Sequence, residues 1–243
     1  MLKELEDFQL LYLDIETVPA YPSYLEMPER MRHLWDKKAQ TINYKEDKKP
    51  LEIFQRAGIY AEFGKIVCIS VGYIVKGSLN LRIKSFYSHD EYKLLSEFCV
   101  LLNSHFNSPK HLMCAHNGKE FDFPFIARRM LVNGITLPSL FDIAGKKPWE
   151  IRHIDTLELW KFGDYKHFTS LDLLTAIFDI PSPKGDIDGS QVGEVYWKQN
   201  DLERIARYCQ NDVVAIVQLL NRYRGKSLIK EEDIEFIELT EIV

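Results

Sequence analysis

The segment Gln9–Glu16 (QLLYLDIE) constrains the possible folds of this chain more than any other. Its nearly continuous apolar run is typical of a strand buried at the centre of a sheet. Side chains alternate between the two faces of a strand, so Asp14 and Glu16 point to the same face. An isolated pair of this kind is most often a polar strand end. At the carboxyl end of a buried strand it indicates a site, because open α/β sheets place their sites there.

Further strands and helices alternate along the chain, as in an α/β domain. We interpret residues 21–63 as an insertion, with helices near Pro28–Lys38 and Leu51–Ala57. The strands predicted after it are Lys65–Val75, Leu79–Tyr87, His111–Ala115 and His153–Leu157. The predicted helices are Glu91–His105, capped by Ser88, then Phe123–Val132, ending at Gly134, and finally Ser170–Phe178.

The clearest helix signal is Asp201–Tyr223, which Asn200 and Glu203 introduce as a variant of the capping box. Its apolar residues form one stripe, and Tyr208 and Asp212 flank that stripe. Residues four positions apart are neighbours on a helix, so this phenol and this carboxylate can address one bound water or ion. The pair alone is weak, because a tyrosine followed four residues later by an acid is expected by chance in such a sequence.

A second acidic segment is Ala115–Asp122 (AHNGKEFD), which follows a buried strand, turns at Asn117-Gly118 and opens a helix. Asp122 lies two residues before Pro124, at the expected start of that helix. It is therefore a candidate helix N-cap as well as a candidate metal ligand. The two roles are compatible.

Composition excludes several kinds of protein. The net charge of −5 argues against capture of nucleic acid by charge alone, although bound divalent ions would neutralise most of this excess. No apolar run reaches the length of a membrane span and the first residues lack a signal peptide's apolar region, so we expect a globular cytoplasmic protein. The four cysteines lack a CxxC pair and are interpreted as buried small hydrophobic residues: Cys68, Cys99, Cys114 and Cys209.

Taken in order, the acidic segments resemble the three exonuclease motifs of the DEDD superfamily. They read Asp14-Ile15-Glu16-Thr17, Asn117-x-x-x-Phe121-Asp122 and Tyr208-x-x-x-Asp212. A tyrosine four residues before the last aspartate is similar to the tyrosine subclass, whereas the histidine subclass would have histidine at position 207, which is Arg207 here. The resemblance is closest to the proofreading exonuclease domain of family-B DNA polymerases and to stand-alone bacterial proteins like it, and it covers about residues 9–224.

This resemblance implies an α/β, ribonuclease H-like fold with a mixed central β-sheet flanked by α-helices. It implies one exonuclease domain over residues 1–225, with the insertion at about 21–63, for which we have no functional interpretation. Residues 226–243 form an acidic tail of unknown role. The pattern of the tail leaves an edge strand and a short helix both open.

The resemblance also implies a 3′-to-5′ exonuclease that uses two Mg²⁺ or Mn²⁺ ions, which prefer carboxylate and water ligands. Asp14 would bridge the two ions, with Glu16 and Asp212 completing one site. Asp122 would hold the other ion, partly through water. Tyr208 would orient the attacking water.

Thr17, Asn117 and Phe121 complete the motifs as expected substrate-binding residues, although Phe121 is equally suited to the core. The expected substrate is the 3′ end of single-stranded DNA, degraded to nucleoside 5′-monophosphates, in repair or proofreading with an unknown polymerase or repair partner. Two alternatives stay open. One is an RNA exonuclease resembling RNase D, because the same four carboxylates process both polymers. The other is a non-catalytic nucleic-acid-binding module of the same fold.

Overall fold

Strand β1 (Leu10–Pro19) is central in the computed structural model, which describes residues 4–42, 48–78, 80–164, 168–181 and 186–242. The other strands are β2 (Gly64–Ile74), β3 (Leu81–Tyr87), β4 (Leu112–Ala115), β5 (Ile154–Asp155) and β6 (Ile234–Phe236). They form one sheet in the order β5-β4-β1-β2-β3-β6. Strand β1 is antiparallel to β2 and parallel to β4, so the predicted mixed sheet is confirmed.

Most of the predicted helices are present in the predicted order, and two short helices, Thr156–Lys161 and Val192–Glu194, were not predicted. The helices are α1 (Glu29–Ile42), α2 (Glu91–His105), α3 (Asp122–Val132), α4 (Thr156–Lys161), α5 (Leu171–Ile177), α6 (Val192–Glu194) and α7 (Leu202–Tyr223). A π-helical turn, Val195–Gln199, continues α6 and leads into α7.

The two faces of β1 are buried under different helices. Leu11, Leu13 and Ile15 belong to a core built with residues of α2 and α3. Leu10 and Tyr12 belong to a second core, built largely with residues of α7. Because strand side chains alternate, Asp14 and Glu16 lie on the α7 side. The fold therefore covers the acidic pair with the helix that carries the third motif.

The start of α7 differs from the prediction. Its N-cap is Asp201, whose carboxylate accepts a hydrogen bond from the Arg204 N–H at 3.1 Å. Asn200 instead adopts a left-handed backbone conformation, with φ of 54°, at the end of the π-helical turn. The predicted capping box of Asn200 and Glu203 is wrong because Asn200 is the C-cap of the preceding π-helical turn. Gly225 follows the helix with φ of +66°, as a helix-terminating glycine should.

Two other predicted boundaries are also wrong. Helix α2 is capped by Asp90, which accepts from the Lys93 N–H at 3.2 Å, and not by Ser88. The strand predicted to reach Leu157 ends at Asp155. The Asp155 carboxylate accepts hydrogen bonds from two N–H groups of α4, so this residue ends the strand by capping the next helix.

The described part of the insertion, which leaves out residues 43–47, has a small core of its own. Trp35 of α1 packs its ring edge-on against Phe54 and Phe63. A 3₁₀ turn over Phe54–Ile59 replaces the helix predicted at Leu51–Ala57. This turn lies against the end of β1, where Gly58 approaches Pro19 so closely that a Cβ would meet its nitrogen at 3.1 Å.

The tail contains a short 3₁₀ turn and a short edge strand, so each of the two predicted alternatives describes part of it. A 3₁₀ turn over Glu231–Asp233 leads into β6, which pairs in parallel with β3 at the edge of the sheet. Arg82 and Glu235 face each other in this pairing and form a two-pronged ion pair, with distances of 2.7 and 3.1 Å. Exposed ion pairs of this kind contribute little stability, so backbone pairing is the main contact of the strand.

Among the described residues, no helix combines the length and the apolar composition required to cross a lipid bilayer.

Candidate active site

Asp14 and Glu16 lie in the middle of β1 and not at its end as predicted, because the strand continues to Pro19. Glu16 is next to an irregularity in the pairing of the strand. The register with β2 shifts between Glu16 and Thr17, as happens at β-bulges beside active sites. Glu16 is only 7% exposed and Asp14 is half-buried. No hydrogen bond from the described residues reaches the Glu16 carboxylate. A buried carboxylate without a partner is costly unless a cation compensates its charge.

Asp122 is held against the same strand. It is the first residue of α3 and is 3% exposed, while Phe121 occupies the N-cap position. The candidate N-cap role of Asp122 is therefore wrong. Its carboxylate accepts a hydrogen bond from the backbone of Ile15, which lies between Asp14 and Glu16 in the sequence. This bond ties the second motif to the first.

Helix α7 brings the third motif to the acidic pair. The Tyr208 hydroxyl donates a hydrogen bond to the Asp212 carboxylate, as expected for residues one helical turn apart. The charges of Asp14 and Glu16 also act on Tyr208. A cleft of about 520 Å³ opens beside this phenol on the exposed side of α7. The structure thus gathers the predicted tyrosine and all four predicted carboxylates.

The carboxylates of the cluster repel one another. Burial raises the pKa of Asp14 well above its ordinary value, and the neighbouring Asp122 and Asp212 raise it further. Burial, Asp14 and Asp212 raise the pKa of Glu16 in the same way. Burial raises the pKa of Asp122 to about 7 and that of Asp212 to about 6. A bound divalent cation would reverse this preference for the protonated forms.

The donor set fits a divalent metal ion. Its oxygen atoms come from four clustered carboxylates, of which Glu16 is buried and unpartnered among the described residues. Ligand atoms of Asp14, Glu16 and Cys209 all lie within 4.8 Å of one another. Metal ions of the Mg²⁺ and Mn²⁺ type favour such oxygen ligands. The described residues therefore contain a possible acidic metal site where the first motif meets α7.

We expect Mn²⁺ to raise the melting temperature, and to do so more strongly at about pH 8 than at about pH 5. In the metal-free protein, the raised pKa values mean that protonation of these carboxyls stabilises the folded state. This stabilisation is fully present below the unfolded pKa near 3.8. It is lost as pH rises through about 6 for Asp212 and about 7 for Asp122. A tenfold difference in proton affinity between the folded and unfolded states is worth about 1.4 kcal/mol, or roughly 3–6 °C in melting temperature.

Thermal melts with chelator and with Mn²⁺ across this pH range measure the effect. A metal-independent melting temperature at about pH 8 would contradict the site, because a ligand that binds only the folded state must stabilise it.

The predicted substrate-binding residues have different surroundings. Asn117 adopts a left-handed conformation, with φ of 62°, and its N–H donates to Asp155 at 3.0 Å. Phe121 is half-buried, packs against Phe125 with ring centroids 5.4 Å apart, and touches the main core. Thr17 is half-buried and directly follows the register shift. Their contacts with a substrate stay a prediction.

Sequence reasoning missed one group at the site and one exposed ring beside the second motif. Cys209 was interpreted as a core residue, and it is buried, yet its thiol donates to the Asp14 backbone oxygen at 3.4 Å. Phe168 is 67% exposed, with its ring 6.4 Å from that of His116. His116 is anchored by hydrogen bonds to Thr156 and Thr169. The adjacency of Cys209 to Tyr208 was the available signal for the thiol, whereas no sequence pattern indicated Phe168.

The fold and the site together define a class of protein. A ribonuclease H-like domain collects acidic side chains around the middle of its central strand. Residues 59–234 match the family described as "Predicted 3'-5' exonuclease related to the exonuclease domain of PolB". This match spans more than half of the chain, so the protein belongs to that family. Asp122, Tyr208 and Asp212 lie within the matched segment, whereas Asp14 and Glu16 precede it and join the site through the fold.

A solved structure supports the fold assignment. The chain is similar to the family B DNA polymerase from the hyperthermophilic archaeon Pyrobaculum calidifontis, with a TM-score of 0.52 and 16% sequence identity. The similarity covers 88% of this chain and 24% of the polymerase chain, so this protein spans about a quarter of the polymerase's length. At this identity the likeness concerns the fold alone. No curated protein matches the sequence.

Proposed function

We propose that this protein is a divalent-metal-dependent 3′-to-5′ exonuclease that degrades single-stranded DNA to nucleoside 5′-monophosphates. The observation that carries the proposal is the convergence of four carboxylates and Tyr208 from β1, α3 and α7. A cluster of carboxylates that repel one another destabilises the metal-free protein, but it can bind the divalent cations that a nuclease uses. When bound, divalent cations stabilise the attacking and leaving oxygens of phosphodiester hydrolysis.

The chain's own residues have separate roles in this proposal. Asp14, Glu16 and Asp212 would hold one ion, and Asp14 and Asp122 would hold the second, the latter partly through water. The hydrogen bond from Ile15 to Asp122 keeps the two sets of ligands in register. The family match covers a segment of the chain, and this proposal assigns roles to individual residues.

Tyr208 orients the attacking water by hydrogen bonding. Burial raises the pKa of its phenol far above the ordinary value, and the charge of Asp212 raises it further. The hydroxyl therefore stays protonated at neutral pH and acts as a donor and positioning group, not as a phenolate base.

Exposed aromatic surface near the site supports a single-stranded substrate. Phe168 immediately precedes Thr169, whose carbonyl oxygen is bonded to His116, and His116 lies next to Asn117 of the second motif. Asp172, four residues further on, is close enough to raise the pKa of Asp212. Because Phe168 contacts His116 beside the second motif, we propose that its exposed ring lies on the path of the substrate. Bases of a single strand stack on such rings without regard to sequence.

The decisive experiment uses an oligonucleotide labelled internally and blocked at one end. A 3′-terminal phosphorothioate or 3′ block should slow degradation, whereas a blocked 5′ end should not, because the reaction begins at the 3′ hydroxyl end. Successive single-nucleotide products in the presence of Mg²⁺ are expected. Degradation from the 5′ end, or internal cuts alone, would contradict the proposal.

A matched pair of DNA and RNA oligonucleotides tests the polymer. We expect faster degradation of DNA. Preferential degradation of RNA would support the RNase D-like alternative, and stoichiometric binding without cleavage in any divalent metal would support the non-catalytic module. The protein distinguishes the two polymers only through the 2′-hydroxyl and the helical form, so the sequences must be identical.

Phe168→Ala should raise KM for a single-stranded oligonucleotide by about 5- to 100-fold and leave kcat nearly unchanged, since one base loses its stacking partner. Phe168→Trp should retain most of the affinity. Tyr92→Ala is the control, because Tyr92 is 55% exposed at the start of α2, on the opposite face of the sheet from α7. Equal KM values for wild type and Phe168→Ala would remove Phe168 from the substrate path.

A further inference from the structure

The acidic site contains a sulfur atom. The Cys209 thiol lies 3.5 Å from Asp14 Oδ2 and 3.4 Å from the Asp14 backbone oxygen. Ligand atoms of Asp14, Glu16 and Cys209 lie within 4.8 Å of one another. Glu16 is 7% exposed and its carboxylate receives no hydrogen bond from the described residues. Two oxygen donors and one sulfur donor are therefore gathered around one point.

One of the ligand separations matches a tetrahedral metal site, and the other two are within 4.8 Å. Zinc bonds of about 2.3 Å to sulfur and about 2.1 Å to oxygen, at the tetrahedral angle, place the two ligand atoms about 3.6 Å apart. The observed separation of Cys209 Sγ and Asp14 Oδ2 is 3.5 Å. Bringing a cation between these two atoms requires little movement of either side chain.

The donor set also has a preference among ions. Carboxylates and water suit Mg²⁺ and Mn²⁺, whereas thiolates favour zinc and similar soft cations. A hard ion at this site would use the oxygen atoms of Asp14 and Glu16 and would not need the thiol. A thiophilic ion gains a third, strong ligand from the same position.

We infer that Asp14, Glu16 and Cys209 form a binding site for a thiophilic divalent cation, Zn²⁺ or Cd²⁺, that overlaps the proposed magnesium site. Binding replaces the S–H bond of Cys209 with a metal–sulfur bond, and the proton is released to solvent. No oxidant or other reactant is needed. Because Asp14 and Glu16 are shared, Zn²⁺ and the harder ion exclude each other.

Cadmium alone is the probe, because a Cd²⁺–thiolate bond gives an ultraviolet charge-transfer band and a Cd²⁺–carboxylate bond does not. Titration of the metal-free full chain should give one saturable band. Cys209→Ser should abolish the band and weaken Cd²⁺ binding by at least about 100-fold, the upper end for loss of a supporting group around a metal. Mg²⁺ affinity should change far less.

Two other cysteines provide matched controls. The Cys68 thiol contacts that of Cys209, so Cys68→Ser tests whether the neighbouring sulfur is the ligand instead. Cys99 is buried in the other core, against Met130, and Cys99→Ser should leave the band intact. Absence of a band in wild type, or a band that survives Cys209→Ser, would overturn the inference.

A measurement on wild type alone covers the case in which Cys209→Ser does not fold. X-ray absorption of the zinc-loaded protein should show one sulfur ligand at about 2.3 Å. A shell of oxygen or nitrogen ligands alone would overturn the site.

The metal measurements are independent of the proposed activity. If the protein cleaves DNA, Zn²⁺ should inhibit the Mg²⁺ reaction of wild type at a lower concentration than that of Cys209→Ser. Cleavage without a Cd²⁺–thiolate band would refute the zinc site and leave the exonuclease proposal standing. A band without cleavage in any metal would do the reverse.

Discussion

Asp14→Asn should abolish cleavage and at the same time make the metal-free protein more stable. Asp14 is the carboxylate proposed to touch both ions, so its loss removes several kcal/mol of transition-state stabilisation, or about 10³- to 10⁵-fold in rate. In the absence of metal the same change relieves repulsion. Two unit charges about 5 Å apart repel by about 3 kcal/mol at an effective dielectric constant of 20. Burial and the charges of Asp122 and Asp212 already raise the pKa of Asp14.

The measurement combines cleavage rates with melts at about pH 8 in chelator. We expect the melting temperature to rise by roughly 6–12 °C and the stabilisation by Mn²⁺ to be largely lost. Asp186→Asn is a suitable control, because Asp186 is an exposed carboxylate that pairs with Arg204 at the edge of the cleft beside Tyr208. An active Asp14→Asn variant would refute the proposed ligand set. A lower melting temperature in chelator would refute the electrostatic argument.

Tyr208→Phe should lower kcat by about 10²-fold, the lower end for a positioned acid–base group. It should leave the metal affinity intact. The variant retains the ring and its packing beside Cys209 and removes only the hydroxyl that donates to Asp212. The hydrogen bond from Tyr208 stabilises the Asp212 anion, so its loss should raise the pKa of Asp212 further. The water-positioning role predicts the loss in kcat, whereas KM for the substrate should change little.

Asp212→Ala is the comparison that separates the two roles on α7. Removal of a ligand should nearly abolish activity and weaken Mn²⁺ binding, whereas removal of the phenol hydroxyl should not affect binding. Isothermal titration with Mn²⁺ and single-turnover rates for both variants provide the test. The assignment of Tyr208 fails if Tyr208→Phe is as active as wild type, or if it loses metal as severely as Asp212→Ala.

The acidic pair on β1 and the pair on α7 could be predicted from the sequence because their geometry is local. Alternation along a strand places Asp14 and Glu16 on one face, and helical periodicity places Tyr208 one turn from Asp212. The order of the three motifs then indicated the family. The match of residues 59–234 confirms that family, although it does not include β1. Strong local periodicity survives folding unchanged, so such elements are predictable from sequence alone.

Caps and the role of Asp122 depended on contacts that local sequence does not encode. Asp122 resembles an N-cap residue, yet its carboxylate binds the backbone of Ile15, more than a hundred residues earlier. Asn200 was expected to cap α7, but the π-helical turn before it shifts the cap to Asp201. A side chain that can bond to nearby backbone takes a different partner when packing brings one close.

By itself the sequence determined the order of most of the elements, the faces of β1 and α7, and the residue types at the site. Only the tertiary structure decided that β1 lies under α7, so that Asp14 meets Cys209 at 3.5 Å and a residue interpreted as core becomes a possible ligand. It also placed the tail on the free edge of β3. The physical reason is that secondary structure follows from repeating local patterns, whereas the pairing of strands and faces depends on which distant surfaces bury each other best.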